Sequence, residues 1–283
     1  MHTHGSLLSW EDAVSWLRSQ PDKAQLVLEC YYDDPPLAAA RRYYASGEWQ
    51  AVRALLGTMR GRALDVGAGR GIASYALARD GFEVTALEPD PSELIGAGAI
   101  RALAREAGLA IEVVEQTSEE LPFTDQSFDV VFARAALHHA HDLAAACREF
   151  CRVLRPGGIL LAIREHVISR REDLQRFFDE HPLHHLYGGE NALLLSEYLG
   201  AISAAGLREL TVLSPWENPV NYAPRTLDDL KNELAVRASA PVPQLRGVLR
   251  GALEPAPLWR LTRAVLERID RRPGRLYSFR ARR

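Results

Sequence analysis

LDVGAGRGIAS, Leu64 to Ser74, is the stretch that decides the fold. A short apolar run, ALDV (63–66), reads as a buried strand that breaks into Gly67, Gly69 and Gly71, and a helix begins near Arg70. Glycine tolerates positive φ and lets a ligand lie against bare backbone, and a helix start offers unpaired N–H groups to it. Downstream, EVTALE (83–88), AIEVVE (110–115), FDVVFA (128–133) and GILLAI (158–163) read as further strands with helices between them. That alternation predicts a parallel sheet covered by helices on both faces. The second strand ends in Glu88, 21 residues after Gly67. In an open parallel sheet this puts a carboxylate beside the glycine turn at the carboxyl edge, where it can accept both hydroxyls of a ribose.

On the N-terminal side, four helical stretches are predicted near 9–19, 22–32, 36–46 and 47–57, with Ser9, Asp22 and Pro35 as start signals. On the C-terminal side the alternation loosens. Residues 168–192 are polar and rich in histidine and aromatic side chains. A helix at 193–205 and a strand at 208–214 resume the pattern, residues 215–273 read as Pro-rich loops with three helices, and 275–283 reads as a final strand. The organisation expected is an N-terminal helical segment, 1–58, followed by one α/β domain, 59–283, carrying cap insertions at 168–192 and 215–273.

Composition narrows the class. The chain has 283 residues, 47 % hydrophobic and 25 % charged, which is the ordinary globular mix and excludes a disordered chain. With 20 Gly, 16 Pro and 3 Cys, collagen-like and disulfide-scaffold classes are also excluded. A small, odd cysteine count fits a reducing, cytoplasmic setting; no membrane span and no signal peptide are expected. The net charge of −3 hides an asymmetry, since residues 241–283 hold eleven Arg against three acids. A basic region can bind nucleic acid, but a solvated helix face in an Arg-rich chain is the preferred reading.

Dinucleotide enzymes prefer G-x-G-x-x-G, and the third glycine is Ile72 here. G-x-G-x-G preceded by Asp65 instead resembles motif I of the class I S-adenosylmethionine-dependent methyltransferases. ALEPDP (86–91) looks like the second motif of that superfamily. SEELPFTDQSFDVVFARAALHH (118–139) is similar to the third and fourth motifs of its small-molecule subgroup, which includes the ubiquinone and menaquinone methyltransferases, and VLRPGGILLAI (153–163) looks like the following loop and strand. The resemblance spans roughly residues 60–165. It implies a Rossmann-like, seven-stranded methyltransferase sheet and S-adenosyl-L-methionine as cofactor.

It also implies roles. Gly67, Ala68 and Gly69 should pass under the methionine and ribose parts of the cofactor, Asp65 should reach its amino group, Glu88 should hold the ribose, and Pro89 should flank the adenine. Thr117 stands where the subgroup often has an Asp, and Ser118 should supply an N–H to the adenine ring. Ala133 and Arg134 should lie near the methionine end.

Seven of the nine histidines fall into three groups: His138, His139 and His141; His166; and His181, His184 and His185. H-x-x-H-H matches no zinc spacing, so no metal is expected. His166 and His138 follow the fifth and fourth strands and are the candidate general bases, in that order, with His139 as scaffold. Glu165 should point away from the site if its strand is regular. Cys147 and Cys151 share an apolar helical stripe and read as core. Tyr31 and Tyr32, and His184 and Tyr187 in HPLHHLYGGEN (181–191), are candidates for acceptor binding.

The function expected is methyl transfer to a small-molecule or glycan-type acceptor, at oxygen. The partner is that small molecule and not nucleic acid; the oligomeric state is left open. The rival readings are an RNA or protein methyltransferase using the basic C-terminal region, a nicotinamide enzyme, and a non-catalytic S-adenosylmethionine-binding protein.

Overall fold

The computed structural model describes residues 7–283. The first six residues, with His2, His4 and the start of the leader reading, lie outside the described residues. Four helices come first: α1 (Trp10–Ser19), α2 (Ala24–Glu29), α3 (Pro36–Ala45) and α4 (Gly47–Leu56). The alternating region follows, with β1 (Arg62–Val66), α5 (Ile72–Arg79), β2 (Glu83–Leu87), α6 (Ala97–Ala107), β3 (Ile111–Val114), β4 (Phe128–Arg134), α7 (Leu143–Val153) and β5 (Leu154–Ile168). The late region holds α8 (Asp173–Glu180), α9 (His184–Tyr187), β6 (Leu193–Leu194), α10 (Leu195–Ala204), β7 (Arg208–Leu213), α11 (Pro219–Tyr222), α12 (Leu227–Ala238), α13 (Arg246–Ala252), α14 (Ala256–Ile269) and β8 (Arg275–Arg282).

The sheet order is β3-β2-β1-β4-β5-β8-β7, with the two-residue β6 paired to β5. β1 to β5 are parallel, and β8 runs antiparallel between β5 and β7. The strand order reverses between β1 and β4, the position where open α/β sheets bind ligands. Register fixes what meets there. Val66 lies beside Leu87 and Ala133, so Gly67, Glu88 and Arg134 leave the sheet together at its carboxyl edge.

Period-two patterning of the strands fills a core on each face. One holds Leu64, Phe128, Phe150, Tyr198 and Phe279; the other holds Tyr43, Trp49, Phe132, Leu161 and Ile163. The N-terminal helices therefore pack on the sheet and are not a loose appendage. Side-chain caps set their starts, since Ser9 Oγ accepts from Asp12 N at 3.1 Å and Ser46 Oγ from Trp49 N at 3.1 Å. Trp49 is fully buried, and its indole N–H donates to Asp80 at 2.9 Å.

Several expectations shift. The helix expected over 22–32 ends at Glu29, because Tyr31 takes a positive φ of 61° and turns the chain. The sheet gains β6, and β5 is far longer than the apolar run 158–163, since β6 and β8 pair with its polar end. Residues 215–273 hold four α-helices instead of three. Arg250, Arg263, Arg272 and Arg282 of the basic region pair with nearby acids, which uses charge that could otherwise attract an anionic partner. Among the described residues, no helix is long and apolar enough to cross a membrane.

Trp49→Ala should cost about 3–5 kcal/mol, the range for truncating a buried aromatic residue, with Asp80 losing a donor as well. Urea denaturation of the variant against the parent chain measures this.

Candidate active site

The glycine turn is built by backbone geometry. Gly67, Gly69 and Gly71 all have positive φ, of 62°, 54° and 79°. At Gly67 a Cβ would fall 2.7 Å from the Ala136 Cβ, so only glycine lets this loop lie against the exit of β4. Gly69 lines a cavity of about 350 Å³. Glu88 braces the turn from the next strand: its Oε2 accepts from Gly69 N at 2.7 Å and its Oε1 from Asp90 N at 3.0 Å. Each oxygen keeps a second lone pair for a ligand hydroxyl. Asp65 accepts from Ser74 Oγ at 2.6 Å and is 1 % exposed. Burial raises the pKa of both carboxyls; Asp65, with the Glu88 charge adding to the effect, reaches about 7. Among the described residues, neither forms an ion pair.

Residues 64–162 match the sequence model of a family described as a methyltransferase domain. Among curated relatives, the ubiquinone biosynthesis O-methyltransferase of Methylobacterium nodulans is 33 % identical over 161 residues, covering 56 % of this chain and 64 % of that protein. The demethylmenaquinone methyltransferase of Chlorobaculum tepidum is 34 % identical over 130 residues, covering 46 % of this chain and 50 % of that protein. The chain thus spans less than two thirds of the length of either relative. A solved structure, a putative sarcosine dimethylglycine methyltransferase from Galdieria sulphuraria, superimposes with a TM-score of 0.57 at 22 % identity, covering 96 % of this chain and 98 % of that one, which shows a shared fold.

The glycine turn, Glu88 and His139 thus lie inside the stretch that matches a methyltransferase domain.

Above the methyltransferase glycine turn, the N-terminal helices form a cover held by Arg70. Its guanidinium donates to Tyr31 O at 3.2 Å, to Asp33 O at 2.9 Å and to Asp34 Oδ1 at 2.7 Å. That brings Trp10, Tyr31 and Tyr32 into the cavity wall, opposite Glu88 and Pro89. Arg134, at the end of β4, forms a two-pronged pair with buried Glu48 of α4, at 2.6 and 3.2 Å. It lies 5.5 Å from the centre of the Tyr31 ring.

The wall opposite the glycine turn is made of histidines and acids. β5 is bulged where Arg164 takes a φ of 60°, and its pairing with β8 shifts register between Ala162 and Glu165. The bulge aims Glu165, 0 % exposed, at the turn after β4. There it accepts from the backbone N–H groups of Ala136, Leu137 and His138 at 3.1–3.2 Å, and it bonds His138 Nδ1 at 2.7 Å. Burial alone would lower the pKa of His138, but Glu165 and the facing Glu190 outweigh it and raise it to about 9. His139 donates from Nδ1 to Gly189 O at 3.0 Å, and its pKa is lowered by burial and by the charge on His138. Glu190 accepts from the Tyr187 hydroxyl and is held ionised by the surrounding histidines in spite of its burial.

The expected residues thus separate. Asp65, Gly67, Ala68, Gly69, Glu88, Pro89, Arg134, Tyr31, Tyr32, Tyr187 and His139 line the one cavity. Thr117 and Ser118 line a smaller adjoining space of about 150 Å³ with Pro89 and His139. Ala133 is fully buried in the sheet core and reaches neither.

His166, the expected first base, does not line the cavity. Its Nδ1 bonds Gly274 O at 3.2 Å, its ring packs on Phe177 at 5.1 Å, and burial lowers its pKa to about 3. His138 is buried beside His139, and of the three expected histidines it is His139, read as scaffold, that lines the cavity. His184 stacks on Phe178 at 3.9 Å, away from the cavity. Glu165 overturns the expectation that it points away, because the bulge breaks strand alternation. No metal was expected from the H-x-x-H-H spacing; the fold brings ligand atoms of His138, His139 and Glu190 within 4.8 Å of one another, and likewise those of His166, His181 and Glu190. H-x-x-H-H could not reveal this, because the members come from separate segments.

Arg70, Glu48 and Trp10 carry no motif and were not singled out from sequence. Arg70→Ala should lower stability by about 1–3 kcal/mol. It should also raise amide hydrogen exchange across residues 31–34 above that of the sheet, read by mass spectrometry.

Proposed function

We propose that the chain transfers a methyl group from S-adenosyl-L-methionine to an oxygen of a small hydroxylated ring compound. The observation that carries this reading is the pair of buried carboxylates, Asp65 and Glu88, beside the glycine turn without a cationic partner. Buried carboxylates need donors. The cofactor offers an ammonium group and two ribose hydroxyls, which match Asp65 and Glu88 in number and kind. Pro89, Thr117 and Ser118 would flank its base. When bound, S-adenosylmethionine supplies a methyl group already activated by its sulfonium.

The chain's own residues then have three tasks. The aromatic wall of Trp10, Tyr31, Tyr32 and Tyr187 excludes water and favours a flat ring. Phenolic or hydroquinone-type acceptors fit that wall, in line with the quinone-related names of the two relatives. Arg134 and Glu48 fix the floor, so that acceptor and methyl group meet in a narrow range of geometries. His139 takes the hydroxyl proton. It is neutral at neutral pH, and because the Gly189 carbonyl can only accept, the hydrogen stays on Nδ1 and Nε2 is the basic atom.

Calorimetry with S-adenosylhomocysteine tests the cofactor half. Glu88→Ala should weaken binding by roughly tenfold or more, from the loss of charge-assisted hydrogen bonds; binding of NADH in its place would sink the assignment. In the free protein Asp65 holds a proton that the unfolded chain loses near 3.8, so stability should fall as pH rises from there towards about 7. The cofactor ammonium should expel that proton. The binding enthalpy near neutral pH should therefore vary with the buffer's ionisation enthalpy, and Asp65→Asn should abolish the variation.

A panel of phenolic acceptors, read by S-adenosylhomocysteine release, tests the acceptor half. His139→Gln should lower turnover roughly 10²–10⁴-fold. The acid limb of the parent profile should lie below the ordinary histidine value of about 6.5. His166→Gln should keep that limb. Cofactor binding without turnover across the panel would favour a non-catalytic protein.

A further inference from the structure

We propose that His138, His139 and Glu190 form a binding site for a divalent transition-metal ion of the zinc or iron(II) class, at the wall of the acceptor cavity. The inference rests on the acceptor reading above for what the ion does, but not for whether it binds. His138 Nε2 and His139 Nε2 lie 3.7 and 4.0 Å from Glu190 Oε2. With metal–nitrogen and metal–oxygen bonds of about 2.0–2.2 Å, tetrahedral ligand atoms sit about 3.3 Å apart. All three ligand atoms lie within 4.8 Å of one another, so closing on an ion takes movements of at most about 1.5 Å, within reach of a carboxylate and of the half-exposed His139 ring. Two imidazole nitrogens and one carboxylate oxygen suit borderline divalent ions more than magnesium or calcium, which prefer all-oxygen shells.

The stronger argument is what lies behind each ligand. Metal-binding histidines donate their second nitrogen to a carboxylate or a carbonyl, which fixes the tautomer and leaves the other lone pair free. His138 Nδ1 is tied to Glu165 at 2.7 Å and His139 Nδ1 to Gly189 O at 3.0 Å. Tyr187 donates to Glu190 Oε1, so that Oε2 is turned towards His138, His139 and His181. Glu165 is in turn anchored by three backbone N–H groups, so the second shell is itself rigid.

Local sequence explains how Glu190 arrives. Gly188 takes a φ of 72°, and a Cβ on Gly189 would fall 2.3 Å from the Tyr187 ring. The Gly-Gly pair thus lets one short turn present both the Gly189 carbonyl and the Glu190 carboxylate to the histidines. Three protein ligands leave an open position, as catalytic sites do and closed structural sites do not. Because His139 and Tyr187 line the cavity, an acceptor hydroxyl could occupy it; with the ion bound, His139 Nε2 is a ligand and no longer the base, and the hydroxyl, made more acidic by the ion, loses its proton to solvent.

The test uses the full chain, stripped with a chelator and titrated with cobalt(II) followed by visible absorption, with zinc as competitor. One equivalent should bind. His139→Ala and Glu190→Gln should abolish binding, and Glu165→Gln should weaken it roughly 10–100-fold through the second shell. His181→Ala should leave it intact. His139 is partly exposed, so its variant should keep the parent melting curve and circular dichroism spectrum. Substoichiometric cobalt in the parent chain, unchanged binding in His139→Ala, or loss in His181→Ala alone would overturn the assignment and leave a protonated His138 between two carboxylates. S-adenosylhomocysteine titrated into the same proteins separates the two proposals: cofactor binding without cobalt binding removes the metal and leaves the methyl-transfer reading standing.

Discussion

Glu165 has no access to water, yet it holds together the two strand ends that make the site. A buried carboxylate is costly unless donors surround it. Here three consecutive N–H groups from the turn after β4, together with the His138 ring, supply them. The relation is mutual, because those N–H groups leave the sheet at a tight turn and would otherwise be unpaired. One side chain thereby fixes the path of residues 136–139 relative to β5, and with it the direction in which His139 faces. The Arg164 bulge is the local cost: a positive φ in a non-glycine residue is unfavourable, and it persists because the surrounding contacts over-determine it.

A second constraint joins the cover to the floor. Arg70 belongs to the glycine turn but spends its donors on Tyr31, Asp33 and Asp34 of the N-terminal segment. Cofactor turn and aromatic cover are therefore parts of one hydrogen-bonded unit. The Glu48–Arg134 pair does the same from below, and Arg164 approaches Glu48 at 3.4 Å. Such buried pairs contribute little net stability, since desolvation offsets much of the attraction. Their effect is geometric: each removes alternatives for the aromatic rings packed around it.

How much of this could be read in advance follows from the kind of contact involved. The sheet, the glycine turn and the place of Glu88 beside it were legible because local rules set them: a strand must be apolar, a turn at positive φ wants glycine, and the residue that ends the second strand emerges next to that turn. Glu165 was assigned the wrong direction, because strand alternation holds only where no bulge intervenes. Arg164 gives no sign of one in its sequence. The helix break at Tyr31 was equally hidden, since Leu26 to Tyr32 keeps apolar residues at helical spacing. The acid–histidine wall was illegible for a different reason. Its members lie at 138–139, 165–166, 181 and 187–190, and only the pairing of β4, β5, β6 and β8 brings these segments together.

That division also bears on what the family relationship can explain. The methyltransferase match covers residues 64–162, which include the glycine turn, Glu88 and His138–His139. Glu165, His166, His181, Tyr187 and Glu190 lie beyond its end, and Trp10, Tyr31, Tyr32 and Glu48 lie before its start. On the matched side the cavity is shaped by a glycine turn and by two carboxylates, Asp65 and Glu88, that local strand and turn rules place. On the unmatched side it is shaped by side chains from distant segments, each dependent on a particular bulge, turn or cap. The matched stretch thus accounts for the half of the cavity that faces Glu88, and the half that faces Glu190 is this chain's own arrangement of side chains.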